Sequence, residues 1–283
     1  MNENWREAIN QSINTEKLAK IDDINQYVVS SSSVIDSSID AFYATTQDIS
    51  NVAKQDFLQQ HPSMGTLLLV GLISASENYF RDLFARIIRI CPIAQAASSE
   101  QTINLDSVIW HREGLVERGA FEHISFADAD KIKSTCRKFL KYELKKRGIT
   151  NELLQEFGKI CELRHGIVHS NSLLAGKNAI KLEIPNNAPN QVLKITIGYE
   201  QLQECRLIST MLIASFNTEM FEEMAKRWAV DWPQLPSWNS ETADVLFEKI
   251  WKSFYSKVDK QNSSISTQLT MLQCKNRVKR EFT

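Results

Sequence analysis

Glycine and proline, the residues that most often interrupt helices, are scarce in this chain, whose 283 residues include nine glycines and six prolines. Long stretches instead repeat apolar residues at steps of three and four, the spacing of one face of an α-helix. Hydrophobic residues make up 43% of the chain, which is enough for a substantial core. We therefore expect a mainly α-helical fold, a bundle of long helices joined by few turns.

The sequence predicts four successive segments. Residues 1–60 are predicted to form a polar helical arm with a sparse apolar stripe, which a run of serines weakens in its middle. Residues 61–230 are predicted to form the helical core, and residues 231–259 a linker followed by a C-terminal helix. Residues 260–283, rich in serine and glutamine and then basic, are predicted to be a flexible tail.

Within the core, the apolar periodicity predicts four long helices. They run from Ser63 to about Ile90, from Asp128 or Asp130 to Arg147, from Thr150 to His169, and from Tyr199 to Trp228. Between the last two helices, apolar and polar residues alternate on both sides of the loop 185–190. This alternation predicts one small β-hairpin over residues 178–198, the only sheet that we expect.

Charge and cysteine content limit where the protein acts. The net charge is −1, so any nucleic-acid surface must be local. The five cysteines include no CxxC pair, which fits a reducing cytoplasm better than a disulfide framework or a zinc ribbon. The N-terminus lacks a signal-peptide pattern, and the longest apolar run, Thr66–Ile73, is too short to span a bilayer. We expect a cytoplasmic protein that does not contact membranes.

The most chemically capable side chains are gathered in one short segment, at Arg164, His165 and His169. Arg164 falls on the apolar stripe of the predicted helix 150–169, where a leucine would be the ordinary choice. A guanidinium in that position must reach water or an anion, because its burial alone is costly. His169 lies where the helical pattern gives way to polar residues, which places an imidazole at a helix end.

The segment from Arg164 to His169, Arg-His-Gly-Ile-Val-His, resembles the signature of the HEPN superfamily (higher eukaryotes and prokaryotes nucleotide-binding). That signature is an arginine, often followed by a polar residue, and then a histidine a few residues later. The resemblance covers roughly residues 63–229. It implies a helical bundle of HEPN type, usually a homodimer, that acts as a metal-independent endoribonuclease in toxin–antitoxin or anti-phage defence systems. Arg164 and His169 match the catalytic pair, and His165 takes the place of the polar residue.

RNA cleavage of this kind requires little of the protein, because the 2′-hydroxyl of RNA is itself the nucleophile. His169 can move the proton, and Arg164 can hold the scissile phosphate with its planar guanidinium. His165 can position the phosphate or the base. The products would be a 2′,3′-cyclic phosphate and a 5′-hydroxyl, with no metal ion or cofactor needed.

The expected partners follow from this chemistry. Positions five residues apart diverge by roughly 140° around a helix, so one copy need not aim both Arg164 and His169 at one phosphate, although the arginine side chain is long. A homodimer with a composite active site removes this difficulty, and the resemblance implies the same arrangement. The substrate would be tRNA or mRNA, and an antitoxin or a sensor protein from the same system could control the enzyme.

A basic run precedes the motif helix. Residues 131–147 carry eight lysines and arginines but few acids, and Lys138, Lys141 and Lys145 are the candidate RNA-binding residues among them. Neighbouring antiparallel helices would set this run beside the motif helix. A basic run is also common on a solvated helix face without any ligand.

Two other interpretations of the motif stay open. Cys161, His165 and His169 are spaced by four residues and could bind a metal along one helix face, although no fourth ligand is evident. Alternatively, the side chains are structural, with Arg164 paired to a carboxylate such as Glu77. In the second case the protein would be a non-catalytic helical module that binds nucleic acid or a partner protein.

Overall fold

The computed structural model describes residues 9, 19–28, 37–111, 115–185, 192–262 and 269–282. The chain divides into two compact units, Met1–Val34 and Ile35–Thr283. In the first unit, the described residues include a short, exposed 3-10 turn at Ile24–Tyr27. Much of the helical arm predicted over residues 1–60 lies outside the described residues, and its last part belongs to the second unit.

The described part of the second unit is helical, which confirms the predicted mainly α fold class. Its α-helices in chain order are α1 (Ser38–Val52), α2 (Gln55–Gln60), α3 (Pro62–Ile90), α4 (Pro92–Ser98), α5 (Leu105–Trp110), α6 (Val116–Gly119), α7 (Ala129–Leu140), α8 (Ile149–His169), α9 (Gly176–Lys181), α10 (Tyr199–Lys226), α11 (Ala243–Phe254), α12 (Lys257–Asn262) and α13 (Met271–Phe282). Among these helices, none is both long and apolar enough to cross a membrane.

The long helix α3 runs through the middle of the core. Pro62 occupies its first turn, where a missing N–H costs nothing. Its side chains Leu69, Phe80 and Phe84 are completely buried, because α1, α8, α10 and α11 all pack against it. Phe80 and Phe84 lie in a cluster of aromatic rings contributed by several elements, Phe121, Phe126, Phe157 and Phe216 among them. The apolar periodicity of the sequence therefore becomes a single core around α3.

Helix α7 ends at Leu140, seven residues before the predicted end at Arg147. Lys141 adopts a left-handed conformation, with φ of 49°. The guanidinium of Arg227, which is only 3% exposed, donates hydrogen bonds to the carbonyl oxygens of Leu140 (2.8 Å) and Lys141 (3.2 Å). These contacts satisfy the last carbonyls of the helix. The segment after Leu140 has good helix formers, but a side chain from the end of α10 caps the helix before they can extend it.

The predicted β-hairpin over residues 178–198 is wrong, because the described residues contain no strand there. Its first run begins inside a helix instead, since α9 spans Gly176–Lys181, and Ile180 is 79% exposed. The second run pairs with the segment just after α8. Leu173 and Lys194 form an isolated antiparallel bridge, and Ile195 N–H donates to the carbonyl oxygen of Ser172 at 2.7 Å.

The predicted flexible tail over residues 260–283 is also wrong in its last part, where α13 spans Met271–Phe282. Val278 is 9% exposed, and the ammonium of Lys279 lies 5.4 Å from the ring centre of Trp228. Lys275 pairs with Asp244 of α11 at 2.7 Å. Two basic residues of this segment, Lys275 and Lys279, therefore contact other parts of the core.

Asp40, in the first turn of α1, connects this helix to the C-terminal region. Its buried carboxylate accepts hydrogen bonds from Ser256 Oγ (2.6 Å) and from the N–H groups of Lys257 (2.9 Å) and Val258 (3.4 Å). These N–H groups belong to the first turn of α12, which has no intrahelical acceptors for them. One buried carboxylate thus caps α12 and holds it against α1.

Candidate functional site

The motif residues lie in the last two turns of α8. The helix begins at Ile149 after Gly148, so the predicted cap residue Thr150 lies inside it, where its hydroxyl is 2.8 Å from that of Ser215 on α10. The buried face of α8 includes Leu154, Phe157 and Ile160 and packs mainly against α10 and α3. This packing leaves His165, Val168 and His169 exposed near the C-terminal end of the helix.

The end of α8 is firmly anchored. The carbonyl oxygen of Gly166 accepts hydrogen bonds from the N–H groups of Ser170 (3.0 Å) and Ser172 (3.2 Å). Asn171 and Ser172 both adopt positive φ, 50° and 64°, which turns the chain back over the helix. Residues 172–174 then pair with residues 193–195. His169 is therefore the last residue of a helix whose end is held in place by hydrogen bonds.

Arg164 has no protein partner in the described part of the chain. The residue is half-buried, and its Nε atom is shielded from solvent with no hydrogen-bond acceptor. Glu77, the carboxylate that the structural interpretation assigned to it, instead accepts hydrogen bonds from Ser125 Oγ (2.9 Å) and Ala127 N (3.1 Å). A shielded donor without a partner costs about 1–3 kcal/mol. No hydrogen bond or ion pair to a described residue therefore offsets the cost of shielding this nitrogen.

His165 and His169 are both exposed and lie side by side. Their ring centres are 4.6 Å apart, with an angle of 46° between the ring planes. Because they are four residues apart on one helix, both imidazoles point to the same side of α8. Two neighbouring imidazoles are thus accessible from solvent at the helix end.

The metal interpretation requires Cys161 to join the two histidines. Cys161 is 6% exposed, and burial raises the pKa of its thiol well above the usual value. Metal binding needs the thiolate, which this environment disfavours. Within the described ranges, no group of three His, Cys, Asp or Glu residues is placed to hold a metal ion.

The candidate RNA-binding lysines lie far from the motif within one chain. α7 runs antiparallel to α8, because Ala129 at its start lies beside Gly158 in the middle of α8, whereas its end at Leu140 is joined to the start of α8 by residues 141–148. The C-terminal end of α7, with Lys138 and Lys141, therefore lies near the start of α8, on the order of 20–30 Å from the motif at 1.5 Å per residue. Lys141 lies 4.0 Å from Glu100, and Lys145 lies 3.2 Å from Glu222. The structure does not bring these three lysines to Arg164 and His169.

A polar cleft instead lies directly beside His165. It has a volume of about 550 Å³ and is formed by the start of α7, the middle of α8 and α9. Its lysines are Lys133, Lys159, Lys177 and Lys181, and its acids are Asp128, Asp130 and Glu162. Sequence reasoning missed this His165 cleft because it assigned residues 178–184 to a strand. The only signal was the number of lysines that flank the motif in the chain.

Comparison with protein-family models, with characterised proteins and with solved structures gives no match to this chain.

Proposed function

We propose that the protein is a metal-independent endoribonuclease in which Arg164, His165 and His169 form the active site. The observation that carries this proposal is the guanidinium of Arg164, without a hydrogen-bond partner at Nε, in the same two helical turns as two exposed, neighbouring imidazoles. A free cationic donor and a proton-exchanging pair are the groups that phosphodiester transesterification needs. The motif resemblance to HEPN ribonucleases points to the same chemistry.

In the proposed reaction, His169 takes the proton from the 2′-hydroxyl of one ribose. The 2′-oxygen then forms a bond to the adjacent phosphorus, and the bond between phosphorus and the 5′-oxygen breaks. The leaving 5′-oxygen receives the proton from the protonated His169, so the products are a 2′,3′-cyclic phosphate and a 5′-hydroxyl. Arg164 binds the non-bridging phosphate oxygens, where negative charge increases in the transition state, and His165 positions the same phosphate.

The active site is proposed to be composite, built by a homodimer. Arg164 and His169 diverge by roughly 140° around α8, so one copy presents them in different directions. In a twofold dimer the two helix ends meet, and Arg164 of one subunit faces His169 of the other. Val168 and Leu173 flank His169 and are 45% and 42% exposed. These apolar side chains would be covered by the second subunit.

The biological role that fits this activity is a toxin or anti-phage effector in the cytoplasm, with tRNA or mRNA as substrate. Uncontrolled RNA cleavage would harm the host, so an antitoxin or a sensor protein of the same system would hold the enzyme inactive. The motif lies at an exposed helix end, where such a partner could cover it.

The deciding experiment incubates total RNA with the wild-type protein, with Arg164→Ala and with His169→Ala, followed by mapping of the RNA ends. Cleavage by the wild type that leaves cyclic phosphates, survives EDTA and is lost in both variants supports the proposal. Equal cleavage by His169→Ala would overturn it. RNA binding without cleavage by the wild type would assign the protein to non-catalytic helical modules. Circular dichroism of the variants checks that each retains the helical fold.

A further inference from the structure

We propose that the RNA strand reaches the motif through the His165 cleft, and that Lys133 and Lys177 are its principal phosphate contacts. Lys138, Lys141 and Lys145 would then not be the residues that hold the RNA. This inference rests on the proposed function for the identity of the ligand. It assigns to two residues a role that the sequence alone gave to other lysines.

The wall of the cleft is held in a fixed position. Asn178 of α9 is 3% exposed, and its Nδ2 atom donates to the Glu162 carboxylate at 2.6 Å and to the Glu162 carbonyl oxygen at 3.4 Å. Lys181 pairs with the other carboxylate oxygen of Glu162. These bonds fasten α9 to α8 one turn before His165. Lys177 precedes Asn178, so its position on the cleft wall is fixed by the same contacts.

Some of the charged side chains that line the cleft have partners among the residues that the structure describes, and others do not. Lys159 pairs with Glu156 at 2.8 Å, and Lys181 is held by Glu162. The Asp128 carboxylate caps α7 and accepts from the N–H groups of residues 130 and 131. By contrast, Lys133 and Lys177 have no ion pair or hydrogen bond to another described side chain. They are the lysines of the cleft that can bind a phosphate without giving up a protein partner.

The cleft is also continuous with the proposed reaction centre. His165 forms part of its lining, and the ring of His169 lies 4.6 Å beyond that of His165, at the end of the same helix. Its volume of about 550 Å³ falls within the range of roughly 300–1,000 Å³ that is common for ligand sites. A strand bound along Lys133 and Lys177 would therefore continue past His165 to His169.

Lys141 and Lys145 are less suited to bind the phosphates of the cleaved RNA strand. Lys141 and Lys145 already lie within ion-pair distance of Glu100 and Glu222. Both also lie near the start of α8, roughly 20 Å or more from Arg164. A phosphate bound there could not be the phosphate that Arg164 of the same subunit holds.

The test uses His169→Ala as the parent protein, so that RNA is bound but not consumed. Binding of a fluorescent single-stranded RNA is measured by anisotropy at several salt concentrations for the parent and for two matched double variants. One is Lys133→Ala with Lys177→Ala, and the other is Lys138→Ala with Lys145→Ala. We expect the first pair to weaken binding by about tenfold at low salt and to reduce the slope of log K against log salt by about 1.4, the value for two lost phosphate contacts to a single strand. The second pair should bind within about twofold of the parent.

Arginine at positions 133 and 177 should restore binding, because it keeps the charges. Parent-like binding by the first pair, a larger loss in the second pair, or no RNA binding by the parent would each overturn the assignment. The result is separable from the proposed function. If the wild type does not cleave RNA but binds it through Lys133 and Lys177, the ribonuclease proposal falls and the cleft assignment stands. If the wild type cleaves RNA, and the first pair of substitutions in an otherwise wild-type protein leaves kcat/KM unchanged, the ribonuclease proposal stands and the cleft assignment falls.

Discussion

Gly166 lies so close to Ile195 that a Cβ atom at position 166 would be 2.6 Å from the Cδ1 atom of Ile195. The same segment meets a second glycine, since a Cβ atom at Gly65 would be 1.8 Å from the carbonyl oxygen of Ile197. Residues 195–197 are thus packed between the first turn of α3 and the motif. The packing of Ile195 therefore disfavours any residue larger than glycine at position 166.

Alanine substitutions at Gly65, Gly166 and Gly158 should change the stability of the protein by different amounts. Gly65→Ala places its methyl group against backbone and should destabilise the protein most, by about 3 kcal/mol or more. Gly166→Ala meets the movable end of a buried side chain and should cost about 1–3 kcal/mol. Gly158→Ala is the matched control on α8, where the new Cβ makes an ordinary 3.7 Å contact. It should be neutral or stabilising by up to about 1 kcal/mol. Urea denaturation measures all three, and equal stability of Gly166→Ala and Gly158→Ala would contradict this packing.

Arg227→Met should destabilise the protein by about 3–5 kcal/mol, because it removes a buried guanidinium that makes four hydrogen bonds. The substitution would leave the carbonyl oxygens of Leu140 and Lys141 without this donor. It would also remove the cation that pairs with Glu223, whose Oε1 atom lies 2.6 Å from Arg227 Nε in the native protein. Thermal unfolding measures the change. Arg227→Lys, which keeps the charge but not the several donors, should fall between the wild type and Arg227→Met. A wild-type melting temperature for Arg227→Met would show that the end of α7 does not depend on this side chain.

Mixing two inactive variants should restore activity if the active site is composite. In a dimer of one Arg164→Ala and one His169→Ala subunit, one of the two sites keeps both functional groups. Random exchange of subunits at equal amounts should therefore recover about a quarter of the wild-type cleavage rate. The assay mixes the purified variants under conditions that allow exchange and follows RNA cleavage. No recovery, with exchange confirmed by native mass spectrometry, would place both groups in one subunit.

Cys205 should make the folded protein less stable in alkali. Burial raises the pKa of its thiol from the ordinary value of 9.0 to about 11. The unfolded chain therefore releases the thiol proton at lower pH than the folded chain does. The contribution of the buried thiol to the free energy of unfolding is thus complete below pH 9.0 and is lost progressively as pH rises to about 11. Urea denaturation of the wild type and of Cys205→Ala, each at about pH 8 and about pH 10, tests this. The wild type should lose more free energy of unfolding than the variant across that interval. An equal loss in both would contradict the effect of burial.

The long helices could be predicted from the sequence because their periodicity is sustained. The prediction of a helix from Ser63 to Ile90 matches α3 at Pro62–Ile90, and that of the motif helix matches α8 to within a residue at each end. A long apolar stripe gives a helix only one way to bury its surface, so neighbouring elements do not change the outcome. The position of His169 at a helix end was predicted for the same reason.

The errors occur where distant residues decide the local structure. The end of α7 depends on Arg227, 87 residues beyond Leu140, so the local helix-forming residues after Leu140 gave the wrong prediction. The alternation around Ile180 is typical of a strand, but Asn178 and Lys181 both bind Glu162, because residues three apart lie on the same face of a helix. The His165 cleft depends on this helix and on the antiparallel placement of α7. Neither could be predicted without the tertiary contacts.

The carboxylate of Asp40 joins parts of the chain that are 216 residues apart. Closing so long a loop costs about 5 kcal/mol of entropy in a simple chain model, so the contact gains stability only once the intervening helices are in place. We therefore expect the contact between Asp40 and the start of α12 to form late in folding and to break early in unfolding. Its loss would leave the first N–H groups of α12 without acceptors, so α12 would fray together with the start of α1. Proteolysis should then begin in both helices at once.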